Sequence, residues 1–269
     1  MLSLNERFTF KDQTVAWGTI GKGRPLVLVH GFPWSAQSWR KIAPFLARNN
    51  QVFFYDMLGC GQSQKGAHQD VSEAVQSALL VALIEHWGLR NPQVVGHDFG
   101  GLAALRAHFV HGVDYEKLHL ANSVAVLPSG SPFYAHVANY EAAFSGLPDY
   151  AHEALFRAYI QNASHYPLQE DAIQTYLAPW IGEEGKAAFY RQIAQADVAN
   201  ISEAQENYCK TDFEIHVAWG ENDSFIPLAQ GKQLSELVSA QSFTPIPNAA
   251  HLVHEDAPEA LLGILLANI

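Results

Sequence analysis

The chain has 269 residues, 48% of them hydrophobic and 16% charged. That is ample apolar material for a core, and the length fits one α/β domain carrying an insertion or two small domains. The formal net charge of −11 argues against nucleic acid or an anionic membrane surface as a main partner and leaves a small-molecule substrate open. The opening MLSLNERFTF lacks the basic head and apolar stretch of a signal peptide. No apolar run is long enough to span a membrane. Two widely separated cysteines, Cys60 and Cys209, make neither a metal pattern nor a disulfide framework. A cytoplasmic protein, monomeric or homodimeric, is expected.

In chain order, RFTF (7–10) and TVAWGTIG (14–21) read as two early strands. RPLVLVHGFP (24–33) and QVFFYDMLGCGQS (51–63) are apolar runs ending in turns, the form of strands buried on both faces. SEAVQSALLVALIEHWGL (72–89) has helical spacing and closes on Gly88. A short strand in NPQVVGHDFGG then meets a tight turn, and LAALRAHFVHG (102–112) is helical again. LHLANSVAVL (118–127), FEIHVAWG (213–220) and QSFTPIP (241–247) read as further strands, and PEALLGILLANI (258–269) as a closing helix.

Strand–helix alternation implies crossover units and a mostly parallel, twisted sheet. The stretch 128–208 breaks the alternation, being rich in aromatics and helix formers without a good strand. It is expected to form a helical lid over the strand ends, with 1–127 and 209–269 as the core domain.

Gly96-His97-Asp98-Phe99-Gly100 has the outline of a nucleophile turn, in which a sharp strand-to-helix turn exposes the central side chain. The residue there is an aspartate. A carboxylate is already ionised at neutral pH and needs no base to activate it. It is poorly suited to acyl transfer and well suited to displacing a leaving group from an sp3 carbon, which gives an alkyl ester on the enzyme. Water must then cleave that ester, so a histidine would activate water instead of the nucleophile. A helix N-cap aspartate would fit the same local pattern.

The partners lie downstream. Asp223 follows one strand in VAWGENDSFIP, and His251 follows the next in PIPNAAHLVHEDAPE. Asp98, Asp223, His251 is the order nucleophile, acid, base. Asp223 would hold one ring nitrogen of His251 and leave the other free for water. Glu221 and His254 are the nearby rivals, with HEDAPE reading as an exposed approach to a helix. His30-Gly31-Phe32-Pro33 follows an earlier strand. The backbone N–H groups of Phe32 and Phe99 would form an oxyanion hole for the second step.

With HGFP, DMLGCGQS, GHDFGG, GENDSFIP and AHLVHEDAPE in this order, the chain resembles the α/β-hydrolase superfamily over its whole length. An aspartate in GHDxGG resembles the epoxide hydrolase and haloalkane dehalogenase branch, which includes the fluoroacetate dehalogenases. The resemblance implies a covalent aspartyl-ester intermediate and no cofactor or metal. Epoxide hydrolases use two lid tyrosines to protonate the leaving alkoxide, and Tyr134, Tyr140 and Tyr190 are the candidates. Haloalkane dehalogenases hold a halide with a tryptophan after the nucleophile and often an asparagine after His-Gly; here those positions are Phe99 and Phe32. Fluoroacetate dehalogenases have arginines after the nucleophile, where this chain has Phe99 and Leu102. His165 and Trp180 of the lid remain candidate halide contacts. Epoxide hydrolysis of a small apolar substrate is the expected activity. A dehalogenase-like hydrolase and a catalytically retired small-ligand binding protein are the alternatives.

Overall fold

The structure is a computed structural model describing residues 1–66 and 69–269. Its eight strands are β1 (Glu6–Phe10), β2 (Gln13–Gly21), β3 (Arg24–Val29), β4 (Asn50–Tyr55), β5 (Gln93–His97), β6 (Lys117–Ala121), β7 (Glu214–Gly220) and β8 (Ser242–Ile246). They form one sheet in the order β1-β2-β4-β3-β5-β6-β7-β8. β1 and β2 pair antiparallel, β2 pairs antiparallel with β4, and every other pairing is parallel. The chain therefore has the α/β-hydrolase fold, a mostly parallel sheet flanked by helices.

The α-helices are α1 (Ala43–Leu46), α2 (Glu73–His86), α3 (Phe99–Phe109), α4 (Pro132–Ser145), α5 (Asp149–Asn162), α6 (Glu170–Leu177), α7 (Gly182–Ala194), α8 (Val198–Gln205), α9 (Leu228–Leu237), α10 (Val253–Asp256) and α11 (Pro258–Asn268). Five of them, α4 to α8, lie between β6 and β7, and no strand interrupts them among the described residues. None of the described helices is long and apolar enough to cross a membrane.

The apolar runs earn their strand form by facing two cores at once. On β3, Val27 and Val29 belong to one buried cluster while Leu26 and Leu28 belong to the other. On β4, Phe53 and Tyr55 alternate in the same way with Val52 and Phe54. Side chains alternate across a strand, so a sheet covered on both faces needs apolar residues at every position.

Two boundaries differ from the sequence reading. Helix α3 begins at Phe99, directly after the turn, and not at Leu102. The strand expected over 118–127 ends at Ala121, because Asn122 turns the chain with a φ of 42°. The short helix α1 and helix α9 were not singled out in the sequence. The parallel strands all end on one edge of the sheet, so the residues following β3, β5, β6, β7 and β8 converge there.

Candidate active site

Asp98 sits between β5 and α3 with φ 55° and ψ −127°. A non-glycine residue holds such a backbone only at a cost of roughly 1–3 kcal/mol, which the surroundings must over-determine. The flanking glycines make the close approach possible. A Cβ on Gly96 would lie 2.7 Å from Gly100 O, and one on Gly100 would lie 2.3 Å from Val29 O. The turn lifts the carboxylate off the sheet end. Asp98 occupies the N-cap position of α3, yet its side chain makes no capping bond. Its Oδ2 instead accepts the backbone N–H of Phe32 at 2.8 Å.

Phe32 lies in the turn after β3, joined to Pro33 by a cis peptide bond. Gly31 lets this turn press on the nucleophile position, since a Cβ there would fall 2.1 Å from Asp98 Oδ2. His30 anchors the turn from below. Its Nε2 accepts the N–H of Met57 at 2.9 Å, and burial keeps its pKa below the ordinary value. The second expected donor, Phe99 N–H, opens α3, where first-turn amides have no intrahelical acceptor.

Asp223 and His251 come together as the sequence order implies. His251 Nδ1–H donates to Asp223 Oδ2 at 2.9 Å, and His251 Nε2 stands 3.6 Å from Asp98 Oδ1. Asp223 accepts three further bonds. Phe225 N–H and Ile226 N–H reach Oδ1 at 2.8 and 2.9 Å, and Asn122 Nδ2–H reaches Oδ2 at 2.7 Å. Burial favours the neutral acid, but the charge and hydrogen bond of His251 outweigh it and hold Asp223 below the usual carboxylate range. Burial likewise disfavours the His251 imidazolium, but Asp223 first and then Asp98 overcome it and push its pKa up to about 10. The raised value favours the protonated form of His251, whose ring lies between the Asp223 and Asp98 side chains. The rival Glu221 is exposed.

Asn122 was missed in the sequence because it was read as mid-strand. Its side chain bridges β7 and the acid: Oδ1 accepts Gly220 N–H at 3.1 Å while Nδ2 donates to Asp223. The available signal was an asparagine directly after an apolar strand, a residue that tolerates positive φ. His254 is fully buried, contrary to the expected exposed approach. It packs on His97 and Trp39, and His97 Nε2–H donates to the His251 carbonyl at 2.9 Å. Burial pushes the His97 pKa down to about 3, which keeps this donor ring neutral.

A cavity of about 780 Å³ opens over the triad, with Phe32, Phe99, Val124, Ile193, Ile201 and Phe225 among its apolar walls. Of the candidate lid residues, only Tyr134 lines it. Tyr134 lies in the first turn of α4, set there by Ser131, whose Oγ accepts the Tyr134 N–H at 3.3 Å. The second tyrosine in the cavity is Tyr159 of α5, which the sequence reading did not name. Burial, together with the Asp98 charge, raises the pKa of both hydroxyls.

The other candidates lie elsewhere. Tyr140 is 55% exposed, at a non-helical kink in α4. Tyr190 is buried and paired with His152. His152 Nε2–H donates to the Trp180 carbonyl at 3.0 Å, so its Nδ1 is the acceptor and the Tyr190 hydroxyl donates to it at 2.9 Å. Trp180 is buried outside the cavity, its indole N–H donating to Pro33 O at 2.8 Å and its ring edge-on to Phe32. His165 is exposed, its ring edge-on to Tyr166 and its backbone N–H donating to Asp256 Oδ2 at 2.9 Å. Asp256 also accepts bonds from Ser164, Tyr166 and Ala250, tying the helical segment to the loop that carries His251.

Comparison with known proteins places these observations. A model of the alpha/beta hydrolase family matches residues 26–264. A crystal structure of an alpha/beta hydrolase fold protein from Burkholderia ambifaria superposes with a TM-score of 0.97 at 50% identity, covering 100% of this chain and 99% of the other. The uncharacterized hydrolase YugF of Bacillus subtilis is 26% identical over 88% of this chain and 86% of its own length. A soluble epoxide hydrolase of Corynebacterium sp. is 24% identical over 92% of this chain and 91% of its own.

Proposed function

The chain belongs to the alpha/beta hydrolase family, and on that premise we propose that it is a cofactor-free hydrolase whose nucleophile is Asp98 and whose substrate is an epoxide. The carrying observation is a carboxylate at the tip of the strained turn, bonded to Phe32 N–H at 2.8 Å and facing a histidine held by a buried aspartate. The similarity to a soluble epoxide hydrolase and the two tyrosines sharing the cavity with Asp98 support the choice of leaving group.

In this reading Asp98 Oδ1, the oxygen not engaged by Phe32, attacks an epoxide carbon. The carbon–oxygen bond of the ring breaks, and the alkoxide takes a proton from Tyr134 or Tyr159. An alkyl ester now occupies the turn, and the Asp98 charge is gone. One of the two carboxylates that kept His251 protonated has been removed, so its pKa falls. Its proton returns to the tyrosinate. Neutral His251 Nε2 then takes a proton from water as the water oxygen attacks the ester carbonyl. Phe32 N–H and Phe99 N–H stabilise the charge on the carbonyl oxygen. Collapse frees the diol and restores the Asp98 carboxylate and the His251 imidazolium. Segment 128–208, with helices α4 to α8, acts as the lid that supplies the tyrosines and the apolar walls.

The dehalogenase reading draws less support. The Trp180 N–H is committed to Pro33 O, and the side chains of Phe32 and Phe99 carry no donors for a halide. The test is mass spectrometry of His251→Gln incubated with a panel of aryl and alkyl epoxides. A stable adduct on Asp98 is expected. Tight ligand binding with no adduct across the panel would favour a retired binding protein.

A further inference from the structure

Glu73 begins α2 and is only 7% exposed, yet it lines the same cavity as Asp98 and His251. Its Oε2 accepts Asn200 Nδ2–H at 2.9 Å and Asp197 N–H at 3.4 Å. Among the described residues no lysine, arginine or histidine forms an ion pair with it, and burial raises its pKa. A buried carboxylate without a countercharge is costly, and the first turn of α2 offsets only part of that cost. The described lining contains no lysine or arginine, and Asp197 adds a third carboxylate at the rim.

We infer that Glu73 is the specificity-determining group of this cavity, accepting a hydrogen bond from a primary ammonium or a hydroxyl of the substrate. The walls would take the apolar body, Asp98 the reactive carbon and the Glu73 carboxylate the donor head. An ammonium suits the site best, because it compensates the carboxylate as well as filling its lone pair. Anionic substrates are disfavoured by the same charges. The inference rests on the hydrolase reading only in calling the occupant a substrate.

Calorimetric titration of the Asp98→Asn variant tests it, since that variant carries no charge at the turn and cannot form the ester. The probes are phenylbutylamine, phenylbutanol and phenylbutyrate. The amine is expected to bind most tightly and the butyrate most weakly. Adding Glu73→Gln, which keeps the shape and the Asn200 contact, is expected to weaken the amine by about tenfold or more, the loss expected for a charged hydrogen bond. Glu73→Asp, which withdraws the carboxylate, gives a second variant with the same expected loss should the glutamine form misfold. Equal binding of amine and butyrate, or amine binding unmoved by both substitutions, overturns the assignment. Because no turnover is read, a missing ester adduct in the His251→Gln experiment would remove the hydrolase reading and leave this result standing.

Discussion

The backbone N–H of Phe32 donates to Asp98 Oδ2 at 2.8 Å, so the amide expected to serve the oxyanion already holds the resting carboxylate. The contact depends on Gly31, where a Cβ would lie 2.1 Å from that oxygen. Gly31→Ala is therefore expected to push the carboxylate out of line. Turnover should fall on the order of a hundredfold, the usual cost of losing an oxyanion donor. Steady-state kinetics with circular dichroism as a folding control checks this. A folded variant with unchanged kcat would show that the contact is incidental.

Asn122 offers a second prediction. Asn122→Ala removes one of the four bonds on Asp223 and also the bond to Gly220 N–H. The acid would be less firmly oriented, and hydrolysis of the ester should slow about tenfold, the scale of one hydrogen bond to a charged group. Formation of the ester should slow less, because His251 has no role as base in that step. Rapid-quench measurement of adduct formation and decay separates the two, and equal slowing of both would place Asn122 in a general structural role.

The elevated pKa of His251 makes a statement about stability. Its folded value of about 10 lies above the ordinary 6.5. The stabilisation is then fully present below about pH 6.5 and is lost as pH rises through about 10. Asp98→Asn removes one of the two charges that raise it. The stability advantage of wild type over Asp98→Asn, read from urea unfolding, should stay level until pH reaches the variant's own lower His251 pKa and shrink from there to about pH 10. An advantage independent of pH would mean that His251 is neutral in the resting protein.

The tyrosines give a set of contrasts. Tyr134→Phe and Tyr159→Phe should each slow adduct formation with an epoxide, with little change in adduct hydrolysis. Tyr140→Phe should leave both steps alone, since that side chain is exposed. Tyr190→Phe breaks the bond to His152 and should lower stability by about 1 kcal/mol without selective loss of the first step. Stopped-flow alkylation rates for the four variants check the pattern, and a defect confined to Tyr190→Phe would reverse the assignment.

The site was legible in the sequence where chemistry follows topology. Parallel strands end on one edge, so Asp98, Asp223 and His251, each just beyond an apolar strand, had to meet. The glycines around Asp98 announced the turn because no other residue permits those approaches. The stretch 128–208 was legible only as helical. Which tyrosine faces the cavity depends on how α4, α5 and α7 rotate against one another, and on a kink at Tyr140 that composition does not mark. Tyr190 turned to His152, while Tyr159 went unnoticed on a face it shares with Leu155. Asn122 and Glu73 were hidden for another reason. Each looks like an ordinary residue of its strand or helix, and only the partners brought by distant segments give it a role.

One measurement bears most directly on the central claim: a single turnover of an epoxide in heavy-oxygen water, with enzyme in excess, followed by peptide mass analysis. If Asp98 forms the ester and water attacks its carbonyl, the label enters the Asp98 side chain and the diol carries an unlabelled oxygen from it. A labelled diol with an unlabelled Asp98 would contradict the mechanism, because water would then have attacked the substrate directly.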